Sequence, residues 1–270
     1  MGEFDGKVVL VTGGARGQGR SHSLAFAAEG ANVTVVDICG PMEGLKYPLG
    51  TREQLDETVA DIEKLGVEGL GLVCDVRKES DVSAAVAATM EKFGRIDILC
   101  NNAGILPLHW IDELGEAEWD PVVDTILKGS WLASKHVIPH MIAQGSGCII
   151  STGSVASLKG FSGFAHYTAA KHGVVGLTRA LAVELAPHNI RVNCVCPGHL
   201  LSDMTHGTIQ YTGQTLEEFT TFLKKTNLFP ALLEPADITR AYLWLASDGS
   251  RSITGSVFTI DNGFMQKSAD

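Results

Sequence analysis

Tyr167 and Lys171 stand four residues apart in the stretch Tyr167-Thr168-Ala169-Ala170-Lys171. On a helix, that spacing puts both side chains on one face. A phenol ordinarily keeps its proton to about pH 10, and a cation beside it favours the phenolate. The pair can therefore act as an acid/base unit near neutral pH.

A second chemical feature lies near the start of the chain. The apolar run 7–12 leads into Thr12-Gly13-Gly14-Ala15-Arg16-Gly17-Gln18-Gly19. Glycines there let the backbone turn tightly and approach a ligand. The helix that follows offers free N–H groups and a positive dipole end to a pyrophosphate. Between a strand and a helix, this T-G-x-x-x-G-x-G turn reads as a phosphate cradle for a dinucleotide. Gly13, Arg16, Gly17, Gln18 and Gly19 are its candidate cofactor-binding residues. Asp37 closes the second apolar run, and its carboxylate can accept hydrogen bonds from the adenosine ribose while repelling a 2′-phosphate. Ile38 follows, with no Arg or Lys beside it, so NAD is favoured over NADP. The same Asp could instead only cap a turn.

These groups need elements to position them. Strand-like runs at 7–12, 32–37, 70–74, 96–101, 147–151, 190–195 and 256–260 alternate with helical patterns. The clearest helix carries Val174, Leu177, Leu181 and Leu185 along one face and closes at Pro187. Short apolar strands separated by helices imply a parallel sheet covered on both faces. Two stretches exceed what connectors need. One is 38–52, with Gly40, Pro41, Gly44, Pro48 and Gly50; the other is 199–230, mostly polar with scattered Leu and Phe. Both follow the C-terminal ends of strands, where ligands bind in open parallel sheets, so both read as lids.

Composition excludes several classes. Apolar residues make up 45% of the 270 and charged residues 19%, as in a protein with a sizeable core. The net charge is -10, with no basic cluster, so neither nucleic acid nor an anionic membrane is an expected partner. The first residues carry acid and no apolar run, and no run is long enough to span a bilayer, so a cytoplasmic location is expected. The six cysteines form no C-x-x-C pair and sit mostly in apolar runs, as small hydrophobes do. His136 and His140 share a helical spacing, but Pro139 lies between them and no third ligand is evident, so no metal site is expected.

Over nearly its whole length the chain resembles the short-chain dehydrogenase/reductase family. The motifs, in order, are Thr12-Gly13 through Gly19, Asp75-Val76, Asn101-Asn102-Ala103-Gly104, Ser154, Tyr167, Lys171, Asn193 and Pro197-Gly198. The resemblance implies one domain, with a doubly wound, Rossmann-type sheet of seven parallel strands in the order 3-2-1-4-5-6-7 and helices on both faces. It implies that Asp75 and Val76 flank the adenine, and that Asn102 touches the adenosine half while Asn101 braces its strand. Ser202 stands where a Thr usually holds the carboxamide, and Leu200 lies beside it. The implied catalytic set is Ser154, Tyr167 and Lys171. Ser154 donates to the substrate oxygen, Tyr167 removes or returns the alcohol proton, and Lys171 depresses the Tyr167 pKa and holds the nicotinamide ribose. A homotetramer, built on helices near 119–143 and 165–186, is implied as well.

One position departs from the family pattern. Asp124-Thr125-Ile126-Leu127-Lys128-Gly129 has Ile126 where an Asn is usual, and that Asn is thought to help hold a water joining the lysine to solvent. Either another group carries the proton, or turnover is slow, or the natural reaction tolerates the change.

The 38–52 insertion and the run from His166 to Leu177 resemble the carveol-dehydrogenase-like, mycofactocin-associated subgroup. There the insertion is thought to cover the cofactor and slow its exchange, which implies tightly held NAD and leaves room for an external redox partner. Leu106, Leu158, Phe161, Phe164, Leu200 and Leu201 are expected to face the substrate, and such walls suit an apolar secondary alcohol or ketone such as a terpenoid or steroid. His166 and His199 flank the site as wall or surface residues, and Lys159 is expected to be solvated. Two other readings remain: a 3-oxoacyl carrier-protein reductase, which Asp37 argues against, and a nucleotide-binding regulator that has lost its chemistry, which only Ile126 supports.

Overall fold

The computed structural model describes residues 2–267. The first strand shows why the sheet is central. In β1 (Val8–Thr12) every residue is buried. Val9 and Val11 pack into one hydrophobic cluster and Leu10 into another, on the opposite face. A strand covered on both faces must be apolar at successive positions, since side chains alternate.

After β1 come α1 (Gly17–Ala28), β2 (Asn32–Asp37), α2 (Arg52–Glu63), β3 (Gly69–Val73) and α3 (Glu79–Phe93). β4 (Ile98–Asn101) then leads into α4 (Glu116–Val123) and α5 (Gly129–Gln144), followed by β5 (Gly147–Thr152) and α6 (Ala165–Leu185). The chain continues with β6 (Ile190–Pro197), α7 (Asp203–Thr212), α8 (Leu216–Thr226), α9 (Pro235–Ala246) and β7 (Val257–Ile260). The seven strands form one sheet in the order β3-β2-β1-β4-β5-β6-β7. All six pairings are parallel. The resemblance implied this order. No helix among the described residues is long and apolar enough to cross a membrane.

The order reverses direction between β1 and β4, and this places the cleft. Connections from neighbouring strands leave in opposite directions there and open a crevice at the carboxyl ends. One core cluster joins Val9, Val33 and Val35 of the sheet to Phe26 of α1 and Ile238 and Tyr242 of α9. The other joins Leu10, Leu99 and Ile149 to Val82 of α3, Leu132 of α5 and Ala182 of α6.

Two long segments differ from their sequence reading. The 199–230 stretch, expected as a lid loop, folds largely into α7 and α8. The Ser202 hydroxyl caps α7, accepting from Thr205 N at 3.3 Å. Thr215 and Glu218 form a capping box at α8. The expected helix near 119–143 is not uniform either. α4 and α5 are joined by a π-helical turn over Asp124–Lys128, which contains Ile126. Hydroxyls take carbonyls around that turn: Thr125 donates to Pro121 O at 2.7 Å and Ser130 to Ile126 O at 2.6 Å. π turns of this kind frequently mark functional sites.

Candidate active site

The glycine turn is held open by close backbone approach. Gly13 has φ +66°, in the left-handed region. A Cβ at Gly19 would lie 2.1 Å from Gly13 O, so only glycine fits there. The N-terminus of α1 follows with no side-chain cap, which leaves its first N–H groups for a ligand. The Gln18 amide oxygen is buried without a partner among the described residues.

The loop after β4 is stitched to this turn. Asn102 Nδ2 donates to Thr12 O at 3.0 Å and to Gly13 O at 3.1 Å. Thr12 Oγ1 in turn accepts from the backbone N–H of Asn102 at 3.0 Å and of Ala103 at 3.1 Å. Asn101 reaches back instead, donating to Ser134 Oγ at 3.1 Å and to Ser130 O at 3.3 Å. Asp37 is buried at the end of β2, and its carboxylate accepts from Ala15 N at 3.1 Å and Cys39 N at 3.3 Å. It therefore caps the glycine turn and also lines the cleft. Asp75 is paired with Arg77 at 2.7 Å. Burial raises its pKa, but the Arg77 hydrogen bonds and charge outweigh it and hold the carboxyl below its ordinary value.

Gly13, Arg16, Gly17, Gln18, Asp37, Ile38, Asp75, Val76, Asn102, Leu200 and Ser202 all line one cleft. Gly19 is not among its lining residues; it acts through its close packing on Gly13. The same cleft is lined by Gly104 of the Asn-Asn-Ala-Gly motif, by Tyr47 and Leu49 of the 38–52 segment, and by Met42, Ile105 and Met204, which sequence reasoning did not single out.

The 38–52 segment crosses this cleft as a strap. Tyr47 Oη accepts from Leu106 N at 2.8 Å. The Tyr47 ring lies against Gly207 of α7, where a Cβ would meet its Cδ1 at 2.1 Å. Tyr211 of α7 accepts from Lys46 N at 3.1 Å and donates to Gly44 O at 3.1 Å. Arg16 joins both sides, bonding Pro48 O and pairing with Asp203 of α7 at 2.9 Å.

A second cavity, of about 320 Å³, adjoins the first. That lies within the roughly 300–1,000 Å³ usual for small-molecule sites. The two cavities share Gln18, Asn102, Gly104, Leu200, Ser202 and Met204. Ser154, Tyr167 and Lys171 converge on the second one. Ser154 follows β5 and begins a short 3-10 turn, its Oγ accepting from Ala156 N at 3.1 Å. Tyr167 and Lys171 lie in the first two turns of α6. Lys171 is buried and donates to Thr152 O at 2.6 Å. Its Nζ sits 5.6 Å from the centre of the Tyr167 ring.

The electrostatics correct one expectation. In this arrangement burial, not Lys171, dominates the Tyr167 pKa. Burial pushes Tyr167 up to about 12, against the opposing hydrogen bond of Ser154. Burial also pulls Lys171 down to about 8. Desolvation disfavours the charged form of each group. The ammonium gives one of its three N–H donors to Thr152 O and lies over the Tyr167 ring.

The rest of the second cavity is apolar. Leu106, Phe161, Phe164 and Leu200 line it as expected, joined by Phe219, Phe222 and Leu223 of α8 and by Phe264. Leu158 and Leu201 do not; they are 42% and 43% exposed, because they point outward from their turns. His199 lines the cavity, whereas His166 is wholly buried and does not line it. Lys159 is exposed, with its Nζ 5.0 Å from the Phe264 ring centre. His136 lies 3.2 Å from Glu79. Ile126 is buried in the apolar cluster that includes Ile105, Val174 and Cys196, with Tyr167 packed on it, so its side chain offers no polar atom to a proton route.

Comparison with known proteins agrees with this geometry. A family model described as short chain dehydrogenase matches residues 7–211. The chain is 39% identical to (-)-trans-carveol dehydrogenase of Rhodococcus erythropolis, over 97% of this chain and 99% of that protein. Its structure superposes on carveol dehydrogenase from Mycobacterium avium in complex with NAD, with a TM-score of 0.94, 37% identity and coverage of 99% and 100% of the two chains. It also matches a short chain dehydrogenase from Mycobacterium paratuberculosis bound to NAD, with a TM-score of 0.92, 36% identity and coverage of 98% and 100%.

Proposed function

The chain belongs to the short-chain dehydrogenase family, and from that premise we propose that it is an NAD-dependent oxidoreductase acting on an apolar secondary alcohol or the matching ketone. One observation carries the reading. Ser154, Tyr167 and Lys171 meet in an apolar cavity that shares a wall with the glycine-turn cleft. A carbinol carbon held by the first set would therefore lie beside whatever the second holds.

The residues fit a dinucleotide. The free N–H groups of α1 and the turn at Gly13–Gly19 suit a pyrophosphate, and the unpartnered Gln18 oxygen can accept from a ligand. Asp37 suits ribose hydroxyls, Asp75 and Val76 the adenine end, Asn102 the adenosine half, and Leu200 and Ser202 the carboxamide end. When bound, NAD supplies the hydride acceptor or donor.

The chain's own groups handle the proton. The Ser154 hydroxyl donates to the substrate oxygen. Tyr167 Oη takes the alcohol proton during oxidation and returns it during reduction. For this, Tyr167 must fall from about 12 toward neutrality in the loaded enzyme. Positive charge opposite its hydroxyl drives it that way. Lys171, still largely charged at pH 7, adds to that charge and binds the ribose. The phenylalanine-rich wall excludes water and selects an apolar skeleton such as a terpenoid.

The strap supports tight retention of NAD, since it fastens to the loop at Leu106, to Tyr211 of α7 and to Arg16 of the glycine turn. An external redox partner would then reoxidise or reduce the nucleotide in place. A cytoplasmic homotetramer is part of the same reading; Trp131 of α5 and Val183 of α6 are exposed apolar residues on the helices that would form it.

The test is a panel of secondary alcohols with NAD, NADP and artificial electron acceptors. NAD should support far higher kcat/KM than NADP, and nucleotide should survive dialysis of the purified protein. Equal use of the two nucleotides would sink the Asp37 assignment. Absence of turnover with every alcohol and acceptor would favour a regulator instead.

A further inference from the structure

Two tyrosines meet at the cleft's edge, Tyr47 on the strap and Tyr211 on α7, and they differ in one respect. Tyr211 has both its hydrogen-bonding roles filled: it accepts from Lys46 N and donates to Gly44 O. Tyr47 has only one filled. Its Oη accepts from Leu106 N at 2.8 Å, and no described residue accepts its proton. A phenol carries one proton to donate. Tyr47 is only 6% exposed and lines the cleft, where no described residue accepts its proton. Buried donors are almost always matched, and an unmatched one in a ligand cleft points to a ligand.

Position narrows the acceptor. Tyr47 lines the glycine-turn cleft together with Gly104, Ile105 and Met204, and it does not line the apolar cavity. Its placement is enforced from two sides. The ring fills the space left by Gly207, and Leu106 N fixes the hydroxyl. Burial raises its pKa well above that of an ordinary phenol, which keeps it a neutral donor at any working pH.

We propose that Tyr47 is a cofactor-binding residue, and that its hydroxyl donates to an acceptor oxygen of the bound dinucleotide. The proposal rests on the reading of the cleft as an NAD site. It makes the strap a part of the binding site, with Tyr211 as its latch and Tyr47 as its contact.

The experiment compares Tyr47→Phe and Tyr211→Phe with the unaltered protein. Each is stripped of nucleotide with charcoal. NADH binding is then followed by fluorescence, and its release by displacement with excess NAD. Tyr47→Phe keeps the ring against Gly207 and loses only the hydroxyl. It should raise Kd about tenfold, as expected for loss of one neutral hydrogen bond, with the change in koff and not in kon. Tyr211→Phe should speed entry and exit together and leave Kd unchanged, because a latch acts on both directions. Two results would overturn the proposal: Tyr47→Phe matching the unaltered protein in Kd and koff, or raising kon and koff in parallel as a latch variant does. Failure of the unaltered protein to bind NADH would instead remove the NAD reading itself.

Discussion

On the sheet side of the cleft, Asn102 grips two backbone carbonyls of the glycine turn, and Lys171 grips the carbonyl of Thr152. On the covering side, Tyr211 and Tyr47 each make hydrogen bonds to a distant loop, and Arg16 pairs with an Asp203 side chain that is 53% exposed. The first set is anchored at the ends of strands buried on both faces. Its groups cannot move without uncovering the core. The second set joins elements near the surface, where an ion pair contributes about 0–1 kcal/mol. The sheet wall is therefore anchored in the core, and the cover is held by a few side-chain bonds between separate segments.

The largest test of that contrast is at Tyr167. Tyr167→Phe should lower kcat by about 10²–10⁴-fold, the usual contribution of a positioned acid/base, while NAD affinity stays the same. Normal turnover in that variant would mean the sheet wall does not house the chemistry. Next comes Ile126→Asn, which places an amide in a buried apolar cluster. Stability should fall by about 3 kcal/mol in urea denaturation, while kcat rises if a proton route was missing at this position. An unchanged kcat across pH would show the position is neutral to catalysis.

Two glycines make a sharper comparison, because a Cβ at either would meet its neighbour at 2.1 Å. At Gly19 the neighbour is the Gly13 carbonyl, and at Gly207 it is the Tyr47 ring. Backbone cannot yield, so Gly19→Ala should cost about 2 kcal/mol and most of the nucleotide affinity. A ring on a strap can swing aside, so Gly207→Ala should leave the melting temperature nearly unchanged and speed nucleotide exchange. Equal melting losses would erase the distinction between the two walls.

The smallest effect is a slope with pH. Folded Lys171 titrates at about 8, below its ordinary 10.5. Between those values the unfolded chain holds a proton that the folded chain has released. Stability of the nucleotide-free protein therefore rises with pH across that window. Tyr167 acts oppositely, but only above its ordinary 10.0, since its folded value is about 12. Denaturation between pH 8 and 10 should thus show a rising contribution from Lys171. Lys171→Met should abolish it; an identical slope in that variant would mean the ammonium is better solvated than its burial implies.

The strands were legible because parallel sheets demand unbroken apolar runs, and β2 begins and ends where the sequence places it. The glycine turn and the Tyr167–Lys171 spacing were legible for a related reason: each is a local pattern. α8 carried a local signal too, since Thr215 and Glu218 spell a capping box and Leu216, Phe219 and Leu223 recur at helical spacing. Scattered threonines obscured it. Other features had no local trace. Tyr47 meets Leu106 and Gly207, far along the chain, and no spacing encodes that. The outward turn of Leu158 and Leu201 and the high pKa of Tyr167 follow from burial, which depends on the packed whole.

The strap's reach to α7 has a kinetic consequence. α7 also walls the apolar cavity through Met204, Thr205 and Thr208. A nucleotide retained under the strap, as proposed, would be a resident group and no longer a co-substrate. Electron donor and electron acceptor would then meet it one after the other. The enzyme would run as a ping-pong machine, its two half-reactions separated in time.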